Sequence, residues 1–247
     1  MKNTQLHKEN DWFVSWFDSP YYHVLYKNRD DSEAQQFMTR LTDYINLESG
    51  DTILDVACGK GRHATFLASL GFQVTGMDLS NNSIEFASQF ENENLQFLTH
   101  DMRKPMDLQY DAVFNLFTSF GYFDDEKDDL LALQSFRNNL KNNSIGIIDL
   151  LNIPYVEKQL IEHEVKSIDS IEFSIHRSMT KTHIIKNIAF SVDEVQHNYF
   201  EKVRSLQLLD FEALLEKSNL QIVELFGDYE LNPYHANNSE RLIMMVV

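Results

Sequence analysis

The stretch Asp51–Ser80, DTILDVACGKGRHATFLASLGFQVTGMDLS, constrains the fold of this chain more than any other. It begins with a short apolar run that is typical of a buried parallel strand. Gly59 and Gly61 follow, where the backbone must turn sharply and approach a ligand closely. Apolar residues at helical spacing lead to Gly71, a typical helix stop, and a second apolar run ends at Asp78. Strand, glycine loop, helix and a strand ending in a carboxylate predict a unit that holds a nucleoside.

The alternation of strand and helix continues to residue 151. Further apolar runs at 95–98, 110–117 and 145–151 are predicted to be strands. Ser80 is a suitable N-cap for one intervening helix, and an acidic run at 124–126 complements the dipole of another, so it is not interpreted as a metal site. Such repetition predicts an α/β fold with a mostly parallel sheet.

The chain is predicted to have three parts. Residues 1–49 form an N-terminal helical cap with an aromatic face. Residues 50–151 and 207–247, the latter with two final strands, form the core. Between them, residues 152–206 are predicted to form an inserted antiparallel β lid, because apolar and polar side chains alternate from about Glu162 to Leu206. The insert would cover the acceptor pocket, form the interface of a homodimer, or do both.

Composition narrows the partners. The chain has 38 acidic and 21 basic residues, with a formal net charge of −17. Because nucleic-acid backbones attract Lys and Arg, this balance argues against a nucleic-acid partner. No apolar segment resembles a signal peptide or a membrane span, and Cys58 is the single cysteine, so a cytoplasmic location is expected.

The cofactor is predicted to bind at the carboxyl ends of the strands. The segment Gly59–Ala64 loosely fits the dinucleotide fingerprint, with Asp78 at a spacing suited to a ribose, so an NAD(P)-dependent oxidoreductase is one alternative. Asp55 disfavours it, because a carboxylate there would repel a diphosphate and attract a cation. S-adenosylmethionine carries a sulfonium, an ammonium and no phosphate, and it suits this edge better.

These residues resemble a known family. Asp55-x-x-x-Gly59-x-Gly61, Asp78 after the second strand and Asp101 after the third resemble the first three motifs of class I S-adenosylmethionine-dependent methyltransferases. The two final strands resemble that family's reversed seventh strand and its hairpin partner. The resemblance implies a Rossmann-like seven-stranded, mostly parallel sheet with a reversed last strand. Ala57 departs from the pattern, because many members have glycine there.

A narrower resemblance adds the N-terminal segment and the fourth strand. The motif Tyr22-x-x-x-Tyr26-x-x-Arg29, the turn 61–63 and the segment 115–122 are similar to those of bacterial small-molecule methyltransferases with an inserted antiparallel sheet. The resemblance implies these cofactor-binding residues: Tyr22, Tyr26, Arg29, Asp55, Ala57, Gly59, Gly61, His63, Asp78, Leu79, Asp101, Met102, Asn115 and Phe117.

The implied roles divide between the two ends of the cofactor. Asp78 would accept hydrogen bonds from the ribose hydroxyls, Leu79 would pack on adenine, and Asp101 and Met102 would meet its amine and ring. The loop 55–61 would approach the methionine portion and the ribose. Asn115 and Phe117 would flank the methionine end, with Tyr26 and Arg29 closing over it. The tyrosines could instead simply pack an N-terminal helix onto the core.

Methyl transfer is a direct displacement, so alignment of nucleophile, methyl and sulfur is the main task, worth about 7–11 kcal/mol. A general base is needed only when the acceptor arrives protonated. The candidates are Tyr122, His63, His163, His176, His183 and His197. None is assigned as catalytic, and Cys58 is interpreted as a packing residue.

The sequence therefore predicts a methyltransferase that uses S-adenosylmethionine to methylate a small molecule. Two alternatives stay open: the NAD(P)-dependent oxidoreductase, and a protein that binds S-adenosylmethionine without turnover.

Overall fold

The computed structural model describes residues 12–27 and 31–247. The helices are α1 (Trp12–Phe17), α2 (Pro20–Leu25), α3 (Asp31–Tyr44), α4 (Arg62–Ser69), α5 (Asn81–Ala87), α6 (Glu126–Asn138), α7 (Ile153–Gln159) and α8 (Leu208–Lys217). The strands are β1 (Thr52–Val56), β2 (Gln73–Asp78), β3 (Leu95–Thr99), β4 (Tyr110–Asn115), β5 (Leu140–Leu151), β6 (His163–Ile168), β7 (Ile171–Met179), β8 (His183–Val192), β9 (Val195–Arg204), β10 (Ile222–Phe226) and β11 (Arg241–Val246).

The described residues form two compact units. The smaller contains residues 12–27 and 159–205, and the larger contains residues 31–158 and 206–247. This division assigns α1 and α2 to the smaller unit and α3 to the larger one. The predicted functional parts, a cap and a lid, stay predictions.

The larger unit is built on one seven-stranded sheet with the order β10-β11-β5-β4-β1-β2-β3. Strands β1 to β5 pair in parallel, whereas β11 runs antiparallel to both β5 and β10. The predicted fold class, a mostly parallel sheet with a reversed last strand plus a separate antiparallel sheet, is confirmed.

Both faces of this sheet are covered, which explains the nearly continuous apolar runs of its strands. Because successive side chains of a strand point to opposite faces, Ile53 joins one buried cluster with α3, α4 and α5. Leu54 joins the other, with α6 and α8. The carboxyl ends of β1, β2, β3 and β4 therefore meet along one edge, which is where the predicted cofactor residues between Asp55 and Phe117 lie.

The smaller unit is a four-stranded antiparallel sheet, in the order β6-β7-β8-β9, with α1 packed on β9. The ring centroids of Trp12 and Phe200 are 5.6 Å apart, and those of Trp16 and Tyr199 are 4.6 Å apart. The indole nitrogen of Trp16 donates a hydrogen bond of 2.8 Å to Oε1 of Glu201. The aromatic face predicted for the N-terminal residues thus packs within this unit.

The structure refines three sequence predictions. The N-terminal region predicted to be a helical cap, 1–49, contains three helices within its described residues, with a break before Pro20, whose helix is capped by Ser19. The fourth strand ends at Asn115 rather than at residue 117, and β5 begins at residue 140 rather than 145. Helix α7 was not predicted. Within the part of the chain that the structure describes, no helix is long and apolar enough to cross a membrane.

Candidate functional site

The loop after β1 adopts the left-handed conformation at three positions. Ala57, Gly59 and Gly61 have φ angles of 62°, 56° and 75°. A Cβ atom on Gly61 would lie 2.4 Å from Cζ of Phe97, so no larger residue fits there without displacing that ring. The loop therefore runs tightly against β3 and turns directly into α4, as predicted for a loop that admits a ligand close to the backbone.

Asp78, at the end of β2, fastens this loop. Its Oδ2 atom accepts a hydrogen bond of 2.8 Å from the backbone N–H of Gly59, and its Oδ1 atom accepts one of 2.8 Å from the N–H of Ser80. The carboxylate is half-buried, and the neighbouring side chain of Leu79 is exposed. A carboxylate acceptor beside an exposed apolar side chain suits the ribose and the base of a nucleoside.

Asp55 lies beneath the same loop and is almost completely buried. Burial, together with the negative charge of Asp78, raises the pKa of Asp55 to about 7, although a hydrogen bond from the backbone of Ala64 opposes the shift. Its Oδ2 atom accepts no hydrogen bond from any of the described residues. A buried carboxylate in this state favours a ligand that brings a cation or a hydrogen-bond donor.

Asn115 ends β4 beside this carboxylate-bearing strand. It is buried, and its amide nitrogen donates a hydrogen bond of 3.1 Å to the carbonyl of Val56. Its Oδ1 atom has no hydrogen-bond partner within the described ranges 12–27 and 31–247. The end of β4 is thus held against the end of β1.

Phe117 and His63 form a stacked aromatic pair next to this strand end. Their ring centroids are 4.3 Å apart and the rings are inclined by 27°. His63 is held from the other side by Arg62, whose Nη2 atom lies 2.8 Å from Nε2 of His63, and Arg62 in turn pairs with Asp31. The structure therefore brings His63 and Phe117 together, although they lie in different segments of the sequence.

Asp101 is gripped by a residue that the sequence analysis did not single out. Arg103 donates hydrogen bonds to both of its carboxylate oxygens, the shortest of 2.6 Å, and also pairs with Asp128 at 3.2 Å. Burial alone would raise the pKa of Asp101, but the hydrogen bonds and charge of Arg103 lower it below its usual value. Asp101 is thus kept as an anion, and Met102 is half-buried beside it. The sequence signal that could have identified Arg103 was its position two residues after Asp101, a carboxylate that follows β3.

The remaining predicted residues belong to the N-terminal segment. Tyr22 and Tyr26 belong to the smaller unit, where Tyr26 donates a hydrogen bond of 2.6 Å to Glu201 and also contacts Lys186. Arg29 lies outside the described residues. A cofactor role for these three residues stays a prediction.

The candidate bases belong to both units. His163 and His176 stack on each other across β6 and β7 at 4.2 Å, and His197 stacks on Phe190. The hydroxyl of Tyr122 donates to the carbonyl of Thr118. Burial and the charges of the two neighbouring carboxylates raise the pKa of the Cys58 thiol, so it stays protonated, as expected of a packing residue.

Comparisons with known proteins identify the family of this chain. A profile of the family described as "Methyltransferase domain" matches residues 47–198. The YqeM protein of Bacillus subtilis (strain 168), a methyltransferase by name, is 37% identical over 102 residues, which cover 40% of this chain and 41% of that protein. Glycine N-methyltransferase of Rattus norvegicus is 27% identical over 149 residues, covering 53% of this chain and 51% of the relative. The chain thus spans about half or less of the length of these two relatives.

Solved structures extend the likeness to nearly the whole chain. The crystal structure of an S-adenosylmethionine-dependent methyltransferase from Clostridium acetobutylicum ATCC 824 superposes with a TM-score of 0.77 at 19% sequence identity. The match covers 92% of this chain and 95% of the other, and at this identity it speaks for the fold. Because the family profile matches more than half of the residues, the resemblance drawn from the motifs is confirmed. The chain belongs to the methyltransferase-domain family, with the class I fold of S-adenosylmethionine-dependent enzymes.

Proposed function

We propose that this protein binds S-adenosylmethionine at the carboxyl edge of the larger sheet and transfers its methyl group to a small-molecule acceptor. The observation that carries the proposal is the buried carboxylate of Asp55, whose Oδ2 atom receives no hydrogen bond from the described residues. The ammonium group of the cofactor would supply both the donor and the positive charge that this oxygen lacks.

The other rim residues fit the remaining parts of the cofactor. Asp78, whose carboxylate accepts hydrogen bonds from the backbone N–H groups of Gly59 and Ser80 at the end of β2, would also accept from the ribose hydroxyls. The exposed side chain of Leu79 offers an apolar surface for adenine. Asp101, held as an anion by Arg103, would accept from the adenine amine.

Bound S-adenosylmethionine supplies an activated methyl group, so the chain's own residues have to bind and align. Asn115 and the Phe117–His63 stack would border the methionine end and limit where an acceptor enters. Holding the reacting atoms in line can lower the barrier by about 7–11 kcal/mol. Transfer to a neutral amine would need no base, whereas an acceptor that arrives protonated would use one of the candidates named above.

A small-molecule acceptor is supported by two observations. The net charge of −17 makes a polyanionic acceptor unfavourable. The name of one relative, glycine N-methyltransferase, states that a small amino acid is its acceptor, and that relative is 27% identical over 149 residues. A role of the residues 152–206 in acceptor recognition or in a homodimer is part of the proposal, and size-exclusion chromatography with light scattering tests the dimer.

Calorimetric titration with S-adenosylmethionine, S-adenosylhomocysteine and NADH tests the cofactor. We expect micromolar affinity for the first two and none for NADH. Asp78→Asn, which keeps the shape but removes the charge, should weaken S-adenosylhomocysteine binding about 10- to 100-fold, as expected when charge-assisted hydrogen bonds are lost. Asp107→Asn, an exposed carboxylate in the loop that precedes the amino-terminal end of β4, is the matched control and should bind normally.

Methyl transfer from labelled S-adenosylmethionine to a panel of small amines, hydroxy acids and thiols tests the activity. Transfer to any of them separates the enzyme from a protein that binds the cofactor without turnover. Tight cofactor binding with no transfer to any acceptor class would favour the latter, and binding of NADH alone would refute the proposal.

A further inference from the structure

Phe117 and Thr118, which follow β4, are held in an unfavourable backbone conformation. Their φ angles are 59° and 63°, in the left-handed region that residues with a Cβ atom rarely adopt and that a β-branched residue such as Thr118 adopts least readily. Two consecutive residues in this state persist only when their surroundings hold them. The groups that do so come from β5 and β11.

Asp149 of β5 provides the first set of contacts. It is completely buried, and its Oδ2 atom accepts a hydrogen bond of 2.7 Å from the backbone N–H of Phe117. Its own carbonyl accepts one of 3.0 Å from the N–H of Thr118. One residue thus captures the backbone donors of both left-handed positions.

Arg241 of β11 completes the arrangement. Its Nε and Nη2 atoms lie 2.8 and 2.7 Å from Oδ1 of Asp149, so the pair is bidentate toward one oxygen. Nη2 also donates a hydrogen bond of 2.9 Å to the hydroxyl of Thr118. The hydroxyl of Tyr229 donates to the remaining acceptor site on Asp149 at 3.3 Å, and burial and the charge of Asp149 raise the pKa of Tyr229, which keeps that donor protonated.

The contacts have a direct consequence for the ring of Phe117. Its backbone is fixed by Asp149, and its ring stacks on His63 at 4.3 Å and packs on Tyr229 at 5.3 Å. Strand β4 ends two residues before Phe117, at Asn115, which donates a hydrogen bond to the carbonyl of Val56, the residue after Asp55. The conformation of this turn therefore sets the position of the groups next to the carboxylate of Asp55.

We propose that Asp149 and Arg241 are positioning residues of the cofactor site, which hold Phe117 and Thr118 in the left-handed turn and thereby keep Phe117 stacked on His63 at the methionine end. The inference rests on the proposed function, because the methionine end is assigned through it. It predicts that loss of the pair harms binding of the methionine portion while leaving adenosine recognition intact.

The test is the double variant Asp149→Leu/Arg241→Met. Removing both charges avoids the unpaired buried charge that a single substitution would leave, so the variant is expected to fold, as far-UV circular dichroism would show. Calorimetry should give an affinity for S-adenosylhomocysteine at least tenfold below that of the wild type, with adenosine affinity changed less than twofold. In the free protein, the NMR signals of the His63 ring protons should lose their ring-current shift.

Two further variants sharpen the result. Asp111→Asn/Lys141→Met removes another ion pair of the same sheet, with a 2.7 Å contact, near the amino-terminal ends of the strands, and should leave both affinities unchanged. Thr118→Val keeps the β-branch and replaces the hydroxyl that Arg241 contacts with a methyl group, so it should give a smaller loss confined to S-adenosylhomocysteine. It also serves if the double variant does not fold.

The outcomes are distinct. Unchanged S-adenosylhomocysteine affinity with an unchanged His63 signal would overturn the inference, as would equal losses for S-adenosylhomocysteine and adenosine. If the wild type bound neither ligand, the proposed function itself would fail, and that is read from the wild type alone.

Discussion

The ionised carboxylate of Asp55 should lower the free energy of unfolding and, at the same time, strengthen cofactor binding. The variant Asp55→Asn is therefore expected to be more stable than the wild type and to bind the cofactor more weakly. The carboxyl has a pKa of about 7 in the folded protein against 3.8 for an ordinary aspartate, because it is buried near Asp78. The folded state therefore holds this proton more tightly than the unfolded state. The cost of ionising it is absent below pH 3.8 and fully present above pH 7.

The magnitude follows from the shift. Each pH unit between the two pKa values is worth about 1.4 kcal/mol, so linkage gives a cost of about 2 kcal/mol at pH 5.5 and about 4 kcal/mol at pH 8.5. Asparagine has the shape of the protonated acid and carries no such cost. The free energy of unfolding of Asp55→Asn should thus exceed that of the wild type, by an amount that grows with pH across this range.

Urea unfolding followed by far-UV circular dichroism is the appropriate assay. Both tryptophans, Trp12 and Trp16, lie in the smaller unit, whereas Asp55 belongs to the larger one, so circular dichroism is chosen over tryptophan fluorescence. Asp107→Asn is the control, and its difference from the wild type should not vary with pH. A pH-independent difference for Asp55→Asn, or a variant less stable than the wild type at pH 8.5, would refute the argument. The same variant should bind S-adenosylhomocysteine about 10- to 100-fold more weakly, because a charge-assisted contact is lost.

Three other predictions concern the same loop. Affinity for S-adenosylhomocysteine should rise with pH up to about 7 and then level off, because its ammonium prefers the ionised form of Asp55; calorimetry from pH 5.5 to 8.5 measures this, and a flat profile would contradict it. Gly61→Ala should destabilise the protein by about 2–3 kcal/mol in urea unfolding, because the added methyl group would meet the ring of Phe97. Gly59→Ala has open space around it and should cost only about 1 kcal/mol, because of its positive φ. Equal losses for the two variants would contradict this prediction. Ala57→Gly should raise the free energy of unfolding by about 1 kcal/mol, because glycine adopts the φ of 62° without strain; a lower midpoint in the same assay would contradict this.

The sheet could be predicted well because its signals are local. The apolar runs of β1 and β4, the glycine loop and the carboxylate of Asp78 each appear within a few residues of sequence. The end of β4 could not be predicted, because Phe117 is a residue type that is common in strands. Its backbone N–H instead donates a hydrogen bond to the side chain of Asp149, a contact that the sequence does not reveal. The break before Pro20 was not predicted, although the sequence carried a signal for it, because the residue before a proline disfavours helix.

The candidate site was predictable in its acceptors and not in its supports. Asp55, Asp78 and Asp101 stand at strand ends, where topology alone brings them to one edge. The pairing of Asp149 with Arg241 joins residues 92 positions apart and depends on the antiparallel register of β5 and β11, which no local pattern reveals. The charged supports of a site are therefore the part that requires coordinates.

The packing of α1 on β9 has a consequence for how the protein is made. The indole of Trp16 meets its acceptor on Glu201 185 positions later in the chain. At the usual rate of translation, about 5–20 residues per second, β9 leaves the ribosome on the order of 10–40 s after α1. During that interval the tryptophans of α1 have no native partner on β9 and are available to chaperones. Because β9 is the last strand of its sheet to be synthesised, α1 can dock on it only when synthesis of the smaller unit is nearly complete.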